Sequence, residues 1–340
     1  MKNKYLFTDC INVSGYLRNV IIDLTRQNFY FVPKWSGNSE DIITYDFYNF
    51  LMEEEIIFEN NEIFKSPENI PNGEKPTIIE TIVVENYFDN NLLEFIQEYK
   101  VRHIVYLIEN DLYRAKRILE SLFIEDVSSV DIHLTLDELN VNVIHLIQEI
   151  INQYPFSSFT IYPKKNKYLP SYLGNQILIS EDSVFNNEGI SFSSFYANFD
   201  FYFESLYHNA YYNKKLFIDS KGFISLDYSS LTKPVGTVKT RLASEMIDFC
   251  KKFWDSPKSE CDICKDCEFR NMCLDNRLPY HRSERQWYHK TECNYNPYIC
   301  KWKDEEGYRT LKECGVVSDE NGFSIDHEKI AKINRELWGE

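Results

Sequence analysis

Residues 261–273 read Cys261-Asp262-Ile263-Cys264-Lys265-Asp266-Cys267-Glu268-Phe269-Arg270-Asn271-Met272-Cys273, and this stretch decides what kind of fold the chain can adopt. Cys264 and Cys267 form a CxxC pair, which can place two thiolates on one metal. Cys273 follows after five intervening residues, and Cys293 lies about twenty residues further along the chain. Three local thiolates with one distant thiolate are a common ligand set for a soft metal. The spacing therefore predicts a metal centre in this part of the chain.

Neighbouring residues offer alternative ligands. Cys261 forms a second CxxC pair with Cys264 and is a competing ligand. His281 and His289 lie in the following loop and can each replace a cysteine, although a surface histidine is the more frequent outcome. Four thiolates do not by themselves distinguish Zn²⁺ from an iron–sulfur cluster, and from these residues alone we favour structural zinc. The further candidate ligands are Cys250, Cys300 and Cys314.

The composition of the whole chain fits a cytoplasmic metalloprotein. The 340 residues are enough for about two domains. A net charge of −16 argues against nucleic-acid binding, because that affinity comes mainly from basic groups that neutralise phosphates. Eight of the nine cysteines fall between Cys250 and Cys314, and in a cytosolic protein such a group binds metal more often than it forms disulfides. No apolar run reaches the ~18–20 residues that span a bilayer, so we also expect no membrane partner.

The first 70 residues predict a winged-helix-like module. Arg18–Leu24 and Phe29–Val32 are apolar runs on either side of a turn candidate, which predicts a hairpin. A helix is predicted from about residue 39 to 54, and a second small hairpin over residues 56–64. An ordinary α+β lead-in is the alternative interpretation. Several prolines and a glycine in residues 66–76 predict the first domain boundary.

Strands and helices alternate over the next ninety residues. This rhythm predicts a parallel sheet and an α/β fold, with α+β character overall. The three βα units are too few for an eight-unit barrel, and no glycine-rich phosphate loop is present. Asp131, His133 and His145 come nearest to a catalytic constellation, but His133 is predicted to be a hydrogen-bonded histidine of the sheet. Strands are predicted over 77–84, 103–108, 129–134 and 159–162, and helices over 88–99, 112–122 and 137–153.

The last third of the chain carries the cysteines between short elements. Residues 215–225 predict a hairpin, residues 241–253 a helix, Asn321-Gly322 a hairpin turn and residues 326–338 a helix.

The segment from Lys215 to Cys293 resembles the SPASM domain of radical-SAM peptide-modifying enzymes. The resemblance lies in residues 217–224, in Gly236-Thr237-Val238 and in the CxxCx5C motif of Cys264, Cys267 and Cys273. That family usually holds two [4Fe–4S] clusters. The resemblance implies that the second cluster is held here by Cys264, Cys267, Cys273 and Cys293.

Two departures from that family pattern restrict the expected chemistry. Ser225-Leu226-Asp227-Tyr228 and Arg277 stand where the family places ligands of its first cluster, so that cluster is expected to be absent. A radical-SAM core also needs a CxxxCxxC motif, and Cys10 is the only cysteine before Cys250. The βα region therefore resembles a partial radical-SAM barrel without that reaction.

The whole chain resembles the grasp-with-spasm peptide maturases, which carry a SPASM domain without the radical-SAM motif. Residues 8–16, 22–26 with Phe29-Tyr30, and 321–326 support this resemblance. It implies a role beside an ATP-grasp ligase that forms side-chain ester or amide links in a ribosomally made peptide, and it favours [4Fe–4S] over zinc. The implied domains are a leader-recognition module (1–70), a βα-repeat domain (77–212) and a SPASM-like cluster domain (213–340).

We therefore expect an accessory maturation factor that binds a precursor peptide, an ATP-grasp ligase or both. The alternatives are a zinc-stabilised interaction protein and a redox or peptide-modifying enzyme that uses the cluster. The sequence predicts no catalytic residue.

Overall fold

The computed structural model describes residues 3–34, 45–60, 77–123, 127–165, 176–180, 190–228 and 233–339. The contacts between Cα atoms divide the chain into two compact units. The cysteine unit takes its described residues from Met1–Glu74, Gly189–Tyr211 and Phe253–Glu340, and the sheet unit takes them from Lys75–Glu188 and Tyr212–Lys252. The division at 1–70, 77–212 and 213–340 stays a prediction, and the expected boundary at 66–76 lies outside the described residues.

Two small antiparallel sheets form the N-terminal part of the cysteine unit. The predicted hairpin over residues 18–32 is confirmed and has a third strand beside it. The expected helix is described from Tyr45, and residues 39–44 lie outside the described part. The second strand of the other expected hairpin lies outside the described residues. Its first strand pairs with the N-terminal strand. The elements are β1 (Asn3–Leu6), β2 (Cys10–Ser14), β3 (Arg18–Asp23), β4 (Asn28–Pro33), α1 (Tyr45–Glu53) and β5 (Ile57–Asn60).

The central strand β3 is buried on both faces, because alternate side chains of a strand point to opposite sides of its sheet. Ile21 lies in a core with Leu51 of α1. Val20 and Ile22 lie in a different core with Phe269 of the cysteine-rich segment. The N-terminal sheet and that segment therefore share one hydrophobic core.

The sheet unit contains the predicted alternation of strands and helices. Strands β6 to β10 are parallel, and each of the three helices between them begins at a side chain that accepts a hydrogen bond from the first turn. The elements are β6 (Thr81–Glu85), α2 (Asn90–Tyr99), β7 (His103–Glu109), α3 (Leu112–Leu122), β8 (Ser129–Glu138), α4 (Val141–Gln153), β9 (Ser157–Lys165) and β10 (Ile177–Ile179).

Several boundaries in this sheet differ from the predicted ones: β6 begins at Thr81 instead of residue 77, and β9 covers Ser157–Lys165 instead of 159–162. β8 continues to Glu138, and α4 begins at Val141 instead of residue 137. The reason is local, since the Asn140 side chain accepts a hydrogen bond from Val143 N–H and fixes the helix start there.

The predicted hairpin over residues 215–225 is confirmed. Its place in the sheet is not predicted from the sequence. β11 (Lys215–Ile218) pairs in parallel with β6, while β12 (Phe223–Ser225) and β13 (Gly236–Thr237) extend the sheet with antiparallel strands. The sheet therefore has eight strands in the order β10-β9-β8-β7-β6-β11-β12-β13.

Short elements complete the chain. The structure adds α5 (Phe199–Tyr207), for which the sequence analysis predicts no element. The expected C-terminal hairpin is present, but its turn consists of Glu320 and Asn321, and Gly322 is the first residue of the second strand. The last helix is confirmed. Of the helices in the described ranges, seven in all, none has the length and apolar character that crossing a bilayer requires. The remaining elements are α6 (Ser244–Trp254), β14 (Pro279–Ser283), β15 (Gln286–His289), β16 (Tyr295–Asn296), β17 (Lys301–Trp302), β18 (Val316–Asp319), β19 (Gly322–Ile325) and α7 (His327–Trp338).

The turn between β2 and β3 lies directly on the cysteine-rich segment. Tyr16 N–H donates to the Asp266 carbonyl at 2.8 Å, and the Arg270 guanidinium donates to the Ser14 carbonyl at 2.6 Å. Gly15 stands between these bonds, where a Cβ atom would lie 2.6 Å from the Arg18 carbonyl oxygen and 2.8 Å from the Glu268 Cβ. Only glycine lets the two backbones approach this closely.

Gly15→Ala is therefore expected to lower the free energy of unfolding by about 1–3 kcal/mol, because the added methyl group overpacks this contact. Urea denaturation of the full chain measures the change. Gly322→Ala is the matched control: a Cβ there meets no described atom within 4 Å, and the expected change is within about 0.5 kcal/mol. Equal losses in the two variants would contradict the close approach at Gly15.

Candidate metal centre

The cysteine-rich segment is buried, contrary to the expectation of a charged and exposed stretch. No residue from Cys261 to Cys273 is exposed. A single 3₁₀ turn over Cys264–Asp266 follows Ile263, whose φ of 68° lies in the left-handed region. Lys265 N–H donates to the Cys261 carbonyl at 2.8 Å, so the backbone folds tightly around the first three cysteines.

The structure brings the four predicted ligands into one neighbourhood. Cys264 and Cys273 are buried, and Cys267 and Cys293 are partly exposed. Burial raises the pKa of Cys267, Cys273 and Cys293, and the charge of Cys264 raises the pKa of each of the three further. Cys264 therefore lies within electrostatic reach of the other three thiols, which suits a shared metal centre; their role as ligands stays a prediction.

Two further donor residues, Cys261 and His289, lie close to Cys264. The ligand atoms of Cys261, Cys264 and His289 are all within 4.8 Å of one another. The expectation of a surface histidine is wrong for His289, whose side chain is only 6% exposed. It holds for His281, which is exposed and packs its ring on Trp287.

Two of the remaining cysteines lie in the cores of their own units. Cys10 belongs to the core between the N-terminal sheet and α1, and Cys250 is a buried residue of α6. Burial raises the pKa of each thiol to about 12.

The alternative ligands Cys300 and Cys314 have other partners in the structure. The Cys300 thiol lies 3.8 Å from a carboxylate oxygen of Glu268, within the core that also contains Tyr295. Cys314 is fully buried in the core of the C-terminal helix, where Asn296 donates to its sulfur at 3.4 Å.

Buried charges surround the predicted ligands. The Lys258 ammonium lies 2.8 Å from Asp275, and the Arg277 guanidinium lies 2.7 Å from the same carboxylate oxygen. Burial raises the pKa of Asp275, but the charges of Arg277 and Lys258 hold it well below its usual range. Two cations thus share one buried carboxylate, so the second positive charge needs another anion beside it.

The Arg277 guanidinium, which carries the second positive charge, lies against a thiol. Arg277 donates from Nη2 to the Cys264 sulfur at 3.7 Å. A hydrogen bond from the Cys261 thiol and the charge of Lys258 hold the pKa of Cys264 well below its ordinary value, although burial acts the other way. Since the thiolate is the form that binds metal, Cys264 is the best prepared ligand of the site.

The sequence analysis missed the burial of Lys258, Asp275 and Arg277. In the sequence, Arg277 is distinguished only by its position, where the resemblance expects a cysteine. The spacing Lys258-x16-Asp275-x1-Arg277 has no pattern that predicts an ion network, so no sequence signal was available for it.

The polar residues of β8 form no catalytic constellation with α4. His133 Nδ1 lies 2.8 Å from the Tyr162 hydroxyl, which confirms a hydrogen-bonded sheet histidine. Asp131 accepts a hydrogen bond from Ser158. His145 is exposed on α4.

Comparisons with known proteins give little further information. No protein-family model matches the chain, and no curated protein matches it. A crystal structure of SuiB from Streptococcus suis bound to S-adenosylmethionine is similar over 80% of this chain and 95% of that chain, at 10% sequence identity and a TM-score of 0.32. A likeness of this size supports no statement about the function of this chain.

Asp275→Asn is expected to lower the free energy of unfolding of the metal-free chain by about 3–5 kcal/mol, because it leaves two buried cations without their carboxylate. Denaturation in the presence of a chelator measures this. Glu336→Gln is the control, since its exposed pair with Arg309 contributes only about 0–1 kcal/mol.

Acid should remove the difference between the wild-type chain and Asp275→Asn. The pKa of Asp275 is lowered in the folded chain, so its stabilisation is present above the unfolded value of about 3.9 and is lost as the pH falls through the folded pKa. The two unfolding curves should converge in that range. A gap that stays constant with pH would contradict the role of the carboxylate charge.

Proposed function

We propose that this chain is an accessory maturation factor for a ribosomally synthesised peptide, and that Cys264, Cys267, Cys273 and Cys293 hold one [4Fe–4S] cluster. One observation carries the proposal: Lys258 and Arg277 share a single buried carboxylate next to these thiols. A second buried cation is costly without an anion beside it. A cluster with four thiolate ligands has a net negative charge, which would compensate that cation.

The same ligand count limits what the cluster does. Four cysteines leave no iron open to substrate, so the cluster supplies structural stability or electron transfer. A zinc ion with four thiolates would also be anionic, and the electrostatics alone do not separate the two. The CxxCx5C spacing of the SPASM resemblance favours the cluster.

The proposed peptide partner rests on the N-terminal sheet. A leader peptide can bind as an added strand on a sheet edge, and β4 is an edge strand with Phe31 exposed on it. Phe31 also packs on Phe269 of the cysteine-rich segment. A peptide on β4 would therefore lie one side chain away from the segment that carries Cys267 and Cys273. The ATP-grasp ligase remains a proposed partner on the resemblance alone.

Metal analysis tests the cluster. The full chain purified without oxygen is expected to contain iron and sulfide in equal amounts, about four of each per chain, with broad visible absorption. Cys293→Ala should lose most of this iron. Cys250→Ala, which removes a buried thiol of the sheet unit, should keep it. Stoichiometric zinc without the absorption in the wild-type chain would reject the cluster.

Peptide titration tests the partner. A labelled synthetic leader, taken from a precursor gene adjacent to this one, is expected to bind the full chain, and Phe31→Ala should weaken binding about tenfold, equivalent to about 1.4 kcal/mol. Tyr113→Ala is the matched control, because Tyr113 is a 74% exposed aromatic residue of the sheet unit. Absence of binding, or equal weakening in both variants, contradicts this assignment.

A further inference from the structure

We infer that Cys261, Cys264 and His289 form a second ligand set, which binds a single zinc ion when the cluster is absent. This inference rests on the proposed function, because Cys264 belongs to both ligand sets. The Cys264 thiolate cannot be a terminal ligand of the cluster and of the zinc ion at the same time. The chain would then hold either the cluster or the zinc ion.

The spacing of the three donors suits one small ion. Zinc binds sulfur at about 2.3 Å and imidazole nitrogen at about 2.0–2.1 Å, so two donors on a tetrahedral ion stand roughly 3.5–4 Å apart. The donor atoms of Cys261, Cys264 and His289 are already within 4.8 Å of one another. Side-chain movements of about one ångström would complete the site.

The orientation of His289 presents the correct nitrogen. Its Nδ1 lies 3.1 Å from the Leu278 carbonyl oxygen, which can only accept a hydrogen bond, so Nδ1 carries the proton. In the neutral ring the lone pair is then on Nε2. Zinc-binding histidines are commonly fixed in this way, with the second ring nitrogen donating to a carbonyl or carboxylate.

The backbone holds Cys261 and His289 side by side. Cys261 forms an isolated parallel bridge with Trp287 of β15, and Asp262 N–H donates to the Trp287 carbonyl at 2.8 Å. His289 follows two residues later on the same strand. The juxtaposition thus depends on main-chain bonds, and Cys261 is only 2% exposed.

The net charge of each centre determines whether the chain prefers the cluster or the zinc ion. Two thiolates and a neutral imidazole make a zinc site with no net charge, whereas the four-thiolate cluster is anionic. Lys258 and Arg277 therefore favour the cluster wherever iron and sulfide are available. Zinc takes the alternative set in their absence and keeps Cys264 and Cys261 metal-bound.

The experiment uses the full chain, freed of metal and kept without oxygen, with zinc ion alone as the probe. One zinc per chain is expected, and Cys261→Ser and His289→Gln should each weaken it at least roughly tenfold while iron and sulfide loading stays unchanged. Cys293→Ser should show the reverse: cluster content is lost and zinc affinity is kept. Unchanged zinc affinity in both Cys261→Ser and His289→Gln would overturn the inference.

Two measurements keep the outcome independent of folding defects. Cobalt(II) in place of zinc should show a thiolate absorption band that Cys261→Ser reduces by about half and Cys293→Ser leaves intact. Zinc-loaded wild-type chain should resist cluster assembly until a chelator is added, and Cys261→Ser should not. Loss of the band in Cys293→Ser would overturn the second ligand set, whereas a cluster that persists in Cys293→Ser would instead refute the proposed function.

Discussion

The buried carboxylate of Asp275 is the constraint on which the cysteine unit depends. Its two oxygens accept from the Lys258 ammonium and from the Arg277 guanidinium, and His289 Nε2 lies 3.7 Å away. Lys258 precedes the cysteine motif, and Asp275, Arg277 and His289 follow it. A single buried acid thus holds these positions together around the thiols, and its second cation lies against Cys264.

A second buried acid ties the same segment to the N-terminal sheet. Glu268, next to Cys267, is completely buried and lies 2.8 Å from Arg18 of β3. It also accepts from the Tyr295 hydroxyl at 2.5 Å, and Arg18 lies over the ring of Phe31. Removing either partner of such a pair leaves an uncompensated charge in the interior. The sheet edge proposed for peptide binding and the cysteine-rich segment are therefore parts of one electrostatic arrangement.

The sequence predicts what short-range patterns determine. The helices α2 and α3 and the hairpin that contains Asn321 follow from local spacing, and the structure confirms them. The pairing of β11 with β6 joins residues more than a hundred positions apart, and no local pattern encodes it. The same holds for the site: the CxxC spacing identifies Cys264 and Cys267, but the burial of Arg277 and His289 depends on partners elsewhere in the chain.

Arg277 shows how losing one metal site can affect its neighbour. Where the resemblance expects a thiolate, this chain has a guanidinium that donates to the Cys264 sulfur. The exchange removes one negative ligand and adds a positive charge beside the remaining thiolates. Donation to a metal-bound sulfur and a nearby cation both stabilise an anionic centre. Under the proposed function, the group that stands in place of the expected ligand would therefore help to neutralise the proposed cluster.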